Sequence, residues 1–505
     1  MTQPGIFRII LRDERVDKLF TASDALHNKL EGVRKERRKK GEENANPTVH
    51  DIEETHLLHL RGTYRPFVAV ACEYVRVSHS GAGTSIGQEG GHIEFRFPTH
   101  AHFTSDMVFH VRFANVGTQS PTASSPRFRF VSYPGIRLFK QVSFLSGGNL
   151  IDDYVRDEVS FINKFEIGQN RRLGWDRGMG EQELRRAESF NRNGYTTCMF
   201  YKEGMQTPAF FHGNNDLWVP AHFWFCKDAG QALCNDLIPN TQRVIKVELA
   251  PLHEMLGAFD QTTGAALPNS IPANLDLQID LYVNNIFTNP EVYDIFASRV
   301  GFSLVRVHRR QHKMLSTESR DILLDQLKYP AEFMYLGVRD RSNVTNLDHW
   351  HLFGRQKART ESNSLLVPDF CWDGDLEACE LVCSHALEKS TLEPIIETLT
   401  VTAHGINLYP TLPHTFFNSY LPQRYFNCTD IVTPEDNSAW LISFCLYPGK
   451  FNPSGYYNLS GARELYLKYT APLITPQSQA ELVVTMSALN FLIRRGDSCA
   501  LKYAL

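Results

Sequence analysis

Residues 275–283 read LDLQIDLYV: apolar side chains occupy every odd position, and Asp276, Gln278, Asp280 and Tyr282 the even ones. A period of two sends successive side chains to opposite faces of a strand, so this segment predicts a strand with one face on a core. The same texture fills the chain on either side. HIEFRF (92–97), MVFHVRF (107–113), RFRFV (127–131) and RVIKVEL (243–249) alternate before it, and YRPFVAVACEYVRV (64–77) is a longer apolar and aromatic run. After it come VGFSLVRVHR (300–309), FMYLGV (333–338), ETLTVTAHGINL (397–408), WLISFCLY (440–447), RELYLKY (463–469), AELVVTMSA (480–488) and ALKYA (500–504).

Turn-forming residues separate these runs, and no regular strand–helix alternation appears. That pattern points to sandwiches rather than a doubly wound sheet. The expected fold class is all-β, two tandem jelly-roll β-sandwiches with an N-terminal arm and short connecting helices. The arm covers 1–48, the first roll 49–288 and the second 289–505. PEVYDIFASRV (290–300), with Pro290 placed for a first helical turn, lies between the two strand sets.

Bulk properties narrow the function. The 505 residues are 42% hydrophobic and 21% charged, enough to build more than one core. Phe and Tyr number 33 and 19 against 9 Met, a bias that suits pleated surfaces. A net charge of −4 gives no general attraction to nucleic acid. The ten cysteines contain no Cys-x-x-Cys pair and read mostly as reduced, buried small hydrophobes. The first residues reach charge too soon for a secretory signal, and no long uninterrupted apolar run suggests a membrane span. A soluble protein of a reducing compartment is expected, in which the sequons at Asn343, Asn427 and Asn458 are not used.

The motifs that suggest chemistry dissolve one by one. Gly81–Gly91 misses the dinucleotide fingerprint and precedes no helix pattern. FNPSGYYNLSGARELYLKY (451–469) lacks the lysine and helix of a phosphate loop. It reads as a turn entering a strand, with Pro453 presetting φ and Gly455 taking positive φ. RRGDSCAL (494–501) contains an Arg-Gly-Asp triplet but reads as a hairpin turn at Gly496. Histidines sit close together at 100/102, 308/312 and 349/351 without the cysteine or carboxylate spacing of a zinc site. Cys371, Cys379, Cys383 and His385 are the one cluster worth a metal test, and their spacing matches no common finger. The aromatic patches AHFWFCKDAGQAL (221–233) and HTFFNSYLP (414–422) hold only Lys227 as an interleaved cation and read as core. No catalytic, cofactor or metal constellation results.

The arm carries VRKERRKK, in which Arg34, Lys35, Arg37, Arg38, Lys39 and Lys40 make six basic residues in seven positions. Such a run suits nucleic acid, an importer or anionic lipid, and equally a solvated helix end among Glu31, Glu36, Glu42 and Glu43.

Several blocks together resemble the double jelly-roll major capsid proteins of large nucleocytoplasmic DNA viruses, in particular their African swine fever virus-like branch. They are IEETHLLHL (52–60), YRPFVAVACEY (64–74), YPGIRLFKQVSF (133–144), GNLIDDY (148–154), LWVPAHFWFCKDAGQAL (217–233), LYVNNIFTNPEVYDIFASRVGFSLVRVHRRQ (281–311), VTAHGINL (401–408), NPSGYYNLSGARELYL (452–467) and SALNFLIRRGDSCALKY (487–503). The resemblance implies a structural protein without enzyme activity or cofactor. It implies homotrimers shaped as pseudo-hexagonal capsomers, tiling an icosahedral shell with neighbouring capsomers, minor capsid proteins and penton proteins. It places the arm at the capsomer base, where the basic run would meet minor capsid proteins or the inner viral membrane. A viral folding chaperone is a further implied partner, and no specific nucleic acid is. The location implied is the virion, with assembly in factories in the host cytoplasm. The chain departs from that branch in having little between MVFHVRF and FRFVSYPG, and a compact stretch from Phe165 to Asp216. The alternative is a non-capsid jelly-roll protein, either a transient viral scaffold or a carbohydrate-binding module.

Overall fold

The structure is a computed structural model. It describes residues 30–41 and, from Val70 to Tyr503, all but 80–84, 98–99, 123, 191–195, 214, 239–242, 262, 291–292, 295–296, 298–300, 357–368, 371–380, 383–391, 427–428, 460–464 and 496–497. Sixteen strands build the two main bodies. In the first they are β1 Val70–Ser78, β2 Gly91–Arg96, β3 Phe103–Phe113, β4 Phe139–Ser146, β5 Asn149–Val155, β6 Asn215–Pro220, β7 Arg243–Leu249 and β8 Leu275–Thr288. In the second they are β9 Phe302–Leu315, β10 Ser319–Leu323, β11 Pro330–Asp340, β12 Thr398–Ala403, β13 Ile406–Pro413, β14 Ala439–Ser443, β15 Leu465–Thr470 and β16 Ala480–Arg495.

Pairing follows one rule twice. The first body has sheets ordered β1–β8–β3–β6 and β2–β7–β4–β5, and the second β9–β16–β11–β14 and β10–β15–β12–β13. Counted within each body, both read first–eighth–third–sixth against second–seventh–fourth–fifth. All the main pairings are antiparallel. This wrapping of a long hairpin into two facing sheets is the jelly roll.

β8 shows how the sequence selects its place. Leu275, Leu277, Ile279, Leu281 and Val283 are buried in its sheet's inner face, with Ile279 opposite Val111 and Val283 opposite Val75. Across the gap, Phe95 of β2 meets Phe109 of β3 at 5.8 Å, so the aromatic bias fills the space between sheets. Asp280, an even position, is buried as well, because Arg76 at 2.9 Å and Arg112 at 3.7 Å pair with it.

β11 and β14 depart from alternation. Phe333 to Arg339 are buried on both faces, as is all of β14. The inner face carries Met334, Leu336 and Val338, and the outer face is covered by the first body. Strands covered twice read as continuous apolar runs, which is why FMYLGV and WLISF lack a polar face.

Two strand readings need correction. ETLTVTAHGINL is not one strand but the β12–β13 hairpin, in which Ala403 pairs with Ile406 across His404 and Gly405. Both loop residues have positive φ, 53° and 75°, the geometry that a two-residue turn between right-twisted strands requires. WLISFCLY leaves its sheet after Ser443, where the Ser443 hydroxyl accepts from the Cys445 amide and turns the chain. The turn at 453–458 has Gly455 at φ 134°, then Tyr457–Asn458 paired with Pro330–Ala331, before β15 begins at Leu465. Arg495 pairs with Ser498 at the last hairpin, and Gly496 lies outside the described residues.

Candidate functional site: the seam between the two rolls

The segment IDDYVRDEVSFINKF, 151–165, joins the bodies. It ends β5 and continues directly into α1, Arg156–Phe165. Val155 has no side-chain oxygen with which to cap that helix, so the first-turn acids take the role, and Glu158 accepts from the Val155 amide at 2.9 Å. Nine of the ten α1 residues are buried, which one roll could not achieve. The second roll covers the rest. Phe161 stacks on Phe353 with centroids 4.6 Å apart and planes 8° off parallel, and Phe165 stacks on Tyr335 at 4.7 Å.

Facing α1 is the outer face of the β9–β16–β11–β14 sheet. Period two puts His308, Arg310 and His312 of β9 on that face, and Phe333, Tyr335, Gly337 and Arg339 of β11 beside them. The carboxylates of the first roll meet this row in order. His308 Nδ1 lies 3.0 Å from Asp152 Oδ2, and its backbone amide donates to Asp152 Oδ1 at 2.9 Å. Arg310 donates to Asp153 and stands 3.8 Å from Glu158. Arg339 bridges Asp157 at 3.1 Å and Glu481 at 2.7 Å, and donates to the Trp350 carbonyl at 3.1 Å. His312 completes the group, 3.1 Å from Glu481 through Nδ1 and 3.8 Å from Asp157 through Nε2.

Further pairs extend the seam. Arg129 makes a bidentate pair with Asp348 at 2.8 Å, Lys164 meets Asp436 at 2.6 Å, and the Trp350 indole donates to the Ser132 carbonyl at 2.8 Å. At the far end the Cys499 thiol donates to the Ser146 hydroxyl.

Burial and charge oppose one another here. Burial alone would raise the Asp157 carboxyl; Arg339, His312 and Arg156 reverse that and hold it below the usual range. Glu481, despite burial, is brought down to about 2 by His312 and Arg339. Glu158 goes the other way, because burial outweighs Arg310 and His308. Burial lowers both seam histidines, yet Asp152 raises His308, and Glu481 and Asp157 raise His312. Nothing in this arrangement places a nucleophile against a base for catalysis. What it does is weld two sandwiches into one body, since any relative movement would strip buried charges of their partners.

The positions singled out in the sequence fall elsewhere. Residues 30–39 form a helix ended by Gly41 at φ 72°; on it Lys35 pairs with Glu31 at 3.6 Å, and Lys35, Arg38, Lys39 and Lys40 are exposed. The aromatic run at 221–233 is core, with Phe223 and Phe225 fully buried. Cys371, Cys379, Cys383 and His385 lie outside the described residues, and among the described residues no group of three His, Cys, Asp or Glu could hold a metal ion. Sequence reading passed over His308 and His312 as failed zinc ligands. Their signal was the alternation VRVHRRQHK, which marks a polar face but not its partner. On the outside, Leu446, Tyr447, Phe451 and Tyr456 are exposed on one loop, an apolar surface of the kind that meets other proteins.

No family model matches the chain. It is 26% identical to hexon protein p72 of African swine fever virus (strain Badajoz 1971 Vero-adapted), over 655 positions that take in all of both chains. The Faustovirus major capsid protein superposes with a TM-score of 0.71 at 25% identity, covering 96% of this chain and 100% of that one. The chain is related to the double jelly-roll major capsid proteins of large DNA viruses. The PBCV-1 virus capsid structure shares the fold at 15% identity and a TM-score of 0.61, over 88% of this chain and 100% of that one. The 655 aligned positions against 505 residues here mean that the swine fever protein carries insertions absent from this chain.

Proposed function

We infer that the chain is a structural major capsid protein, three copies of which form a pseudo-hexagonal capsomer that tiles an icosahedral shell. The observation that carries this is the welded pair: two rolls of one strand order, held side by side as a single block. Three such blocks around a three-fold axis present six similar sandwiches, so a trimer fills a near-hexagonal lattice, and closed symmetry keeps it from growing into fibres. Lateral contacts of the obligate kind bury on the order of 2,000 Å² or more. Exposed side chains such as Leu446 and Tyr456 would supply apolar area for them.

The role is one of assembly, without catalysis. The division into an arm, a first roll over 49–288 and a second over 289–505 belongs to this reading, as do its partners: neighbouring capsomers, penton and minor capsid proteins, a folding chaperone, and the inner membrane at the base. The basic run Arg34–Lys40 would meet those base partners. The protein would be made in the host cytoplasm and end in the virion.

Size-exclusion chromatography with light scattering tests the core claim, with a mass three times that of the chain expected and pseudo-hexagonal particles in negative stain. A monomer persisting at micromolar concentration would overturn it. Absence from purified virions would favour a transient scaffold. Removing residues 1–48 should weaken base contacts; unchanged shell assembly would exclude the arm's proposed role.

A further inference from the structure

The seam contains several cations, and only its histidines change charge within a unit or two of neutrality. His308 faces Asp152 and, further off, Glu158; Lys227 acts against its protonation, and His222 and the Tyr154 ring close the site. Arg306 and Arg310 flank it on its own strand. His312 faces Glu481 of β16 and Asp157 of α1, with Glu158 behind them. Arg339 of β11 and Arg156 of α1 share the same carboxylates. All of these groups except Glu481, Arg339 and the β9 residues come from the first roll.

We propose that His308 and His312 form a proton-dependent latch between the two rolls, closed while both imidazoles carry a proton and slackened when rising pH removes it. The geometry supplies the reason. Neutral imidazole has one N–H, so His312 without its extra proton can donate to Glu481 through Nδ1 or point an N–H at Asp157 through Nε2, but not both. Neutral His308 can still donate to Asp152 but no longer balances that fully buried carboxylate, so what remains is a neutral contact in place of a charge-assisted one.

The sign follows from linkage. Both groups gain proton affinity on folding, so their contribution is complete below the ordinary histidine value of about 6.5 and is lost as pH climbs through the raised values. Of the other seam charges, Asp157 and Glu481 are held low and the guanidinium groups keep their charge, whereas burial raises Glu158, whose ionisation adds to the same loss as pH rises. Burial pushes His102, His212, His222, His349 and His351 the opposite way, so they add no loss of stability as pH rises.

Hydrogen–deuterium exchange of the purified full chain, corrected for intrinsic rate, reads the latch at about pH 6 and about pH 8.5, on either side of the histidine transition. Peptides covering 149–165 and 304–314 should exchange severalfold faster at the higher pH, while 243–249, in the first roll's own sheet, stays unchanged. In the double variant H308Q/H312Q the seam peptides should exchange fast at both values. Equal seam protection of the natural chain at the two pH values would overturn the proposal, as would a double variant that keeps the natural pH response. If the double variant does not fold, the natural chain's exchange decides the matter alone.

Discussion

Replacing Arg339 by methionine keeps the length of the side chain and removes the guanidinium on which the seam converges. Arg339 is 6% exposed and Asp157 7%, so water cannot take the place of the lost partner at either atom. Removing one member of a buried pair costs about 3–5 kcal/mol, mostly from the charge left behind. Against a typical stability of about 5–15 kcal/mol, that is a large fraction of the whole. The cost depends on pH in a defined direction. Asp157 and Glu481 are held below the usual carboxyl range, Glu481 to about 2, so their stabilising contribution is complete above about 4.5 and is lost as pH falls toward 2. In R339M the abandoned Asp157 regains an ordinary or raised proton affinity, and at about pH 4 it accepts a proton rather than remaining a bare buried charge. The penalty should therefore be largest near neutrality and shrink in acid. Urea unfolding, which does not screen charge, is the assay, applied to the natural chain, R339M, D157N and the double variant. The two single losses should exceed the double loss by about 1–3 kcal/mol, the coupling expected of groups in one network. A loss for R339M below about 1 kcal/mol at neutral pH would refute the argument, because that is the range of exposed pairs. Equal losses at both pH values would do the same.

Other consequences can be checked alongside it. F161A removes the ring stacked on Phe353 and should cost about 3–5 kcal/mol, splitting one calorimetric transition into two as the rolls uncouple. A single transition at the natural temperature would contradict that. A methyl group at Gly337 would overlap the Phe353 ring, so G337A should destabilise by about 1–3 kcal/mol and be partly rescued by F353L; a thermal shift near zero for G337A would show that the ring moves freely aside. G455A forces a side chain onto φ 134° and should cost about 1–3 kcal/mol through strain alone, since its Cβ meets nothing closer than 3.7 Å. A loss of less than a few tenths would mean that the turn relaxes.

Much of the architecture was legible before any coordinate. LDLQIDLYV declares its inner face residue by residue, because a strand's period is a local property of the backbone. The tandem arrangement was legible in the recurrence of that texture, and the likeness to viral capsid proteins in blocks such as LWVPAHFWFCKDAGQAL. The β12–β13 hairpin was hidden because His404 is an unusual occupant of a positive-φ position, and nothing in the alternation of VTAHGIN distinguishes a turn there from a strand passing through. FMYLGV showed continuous burial without saying what would bury it.

The seam belongs to another category. Period two put His308, Arg310 and His312 on one polar face, and a polar face ordinarily means solvent. Their partners Asp152, Asp153 and Asp157 stand about 150 positions earlier, and no local pattern couples the two segments. Sequence by itself determined which residues point which way, since that depends on neighbours along the chain. Tertiary structure alone decided what each face meets, and so turned a row that looked hydrated into the joint between two rolls. The physical reason is that Coulomb attraction and desolvation depend on distance through space, which only the folded chain defines.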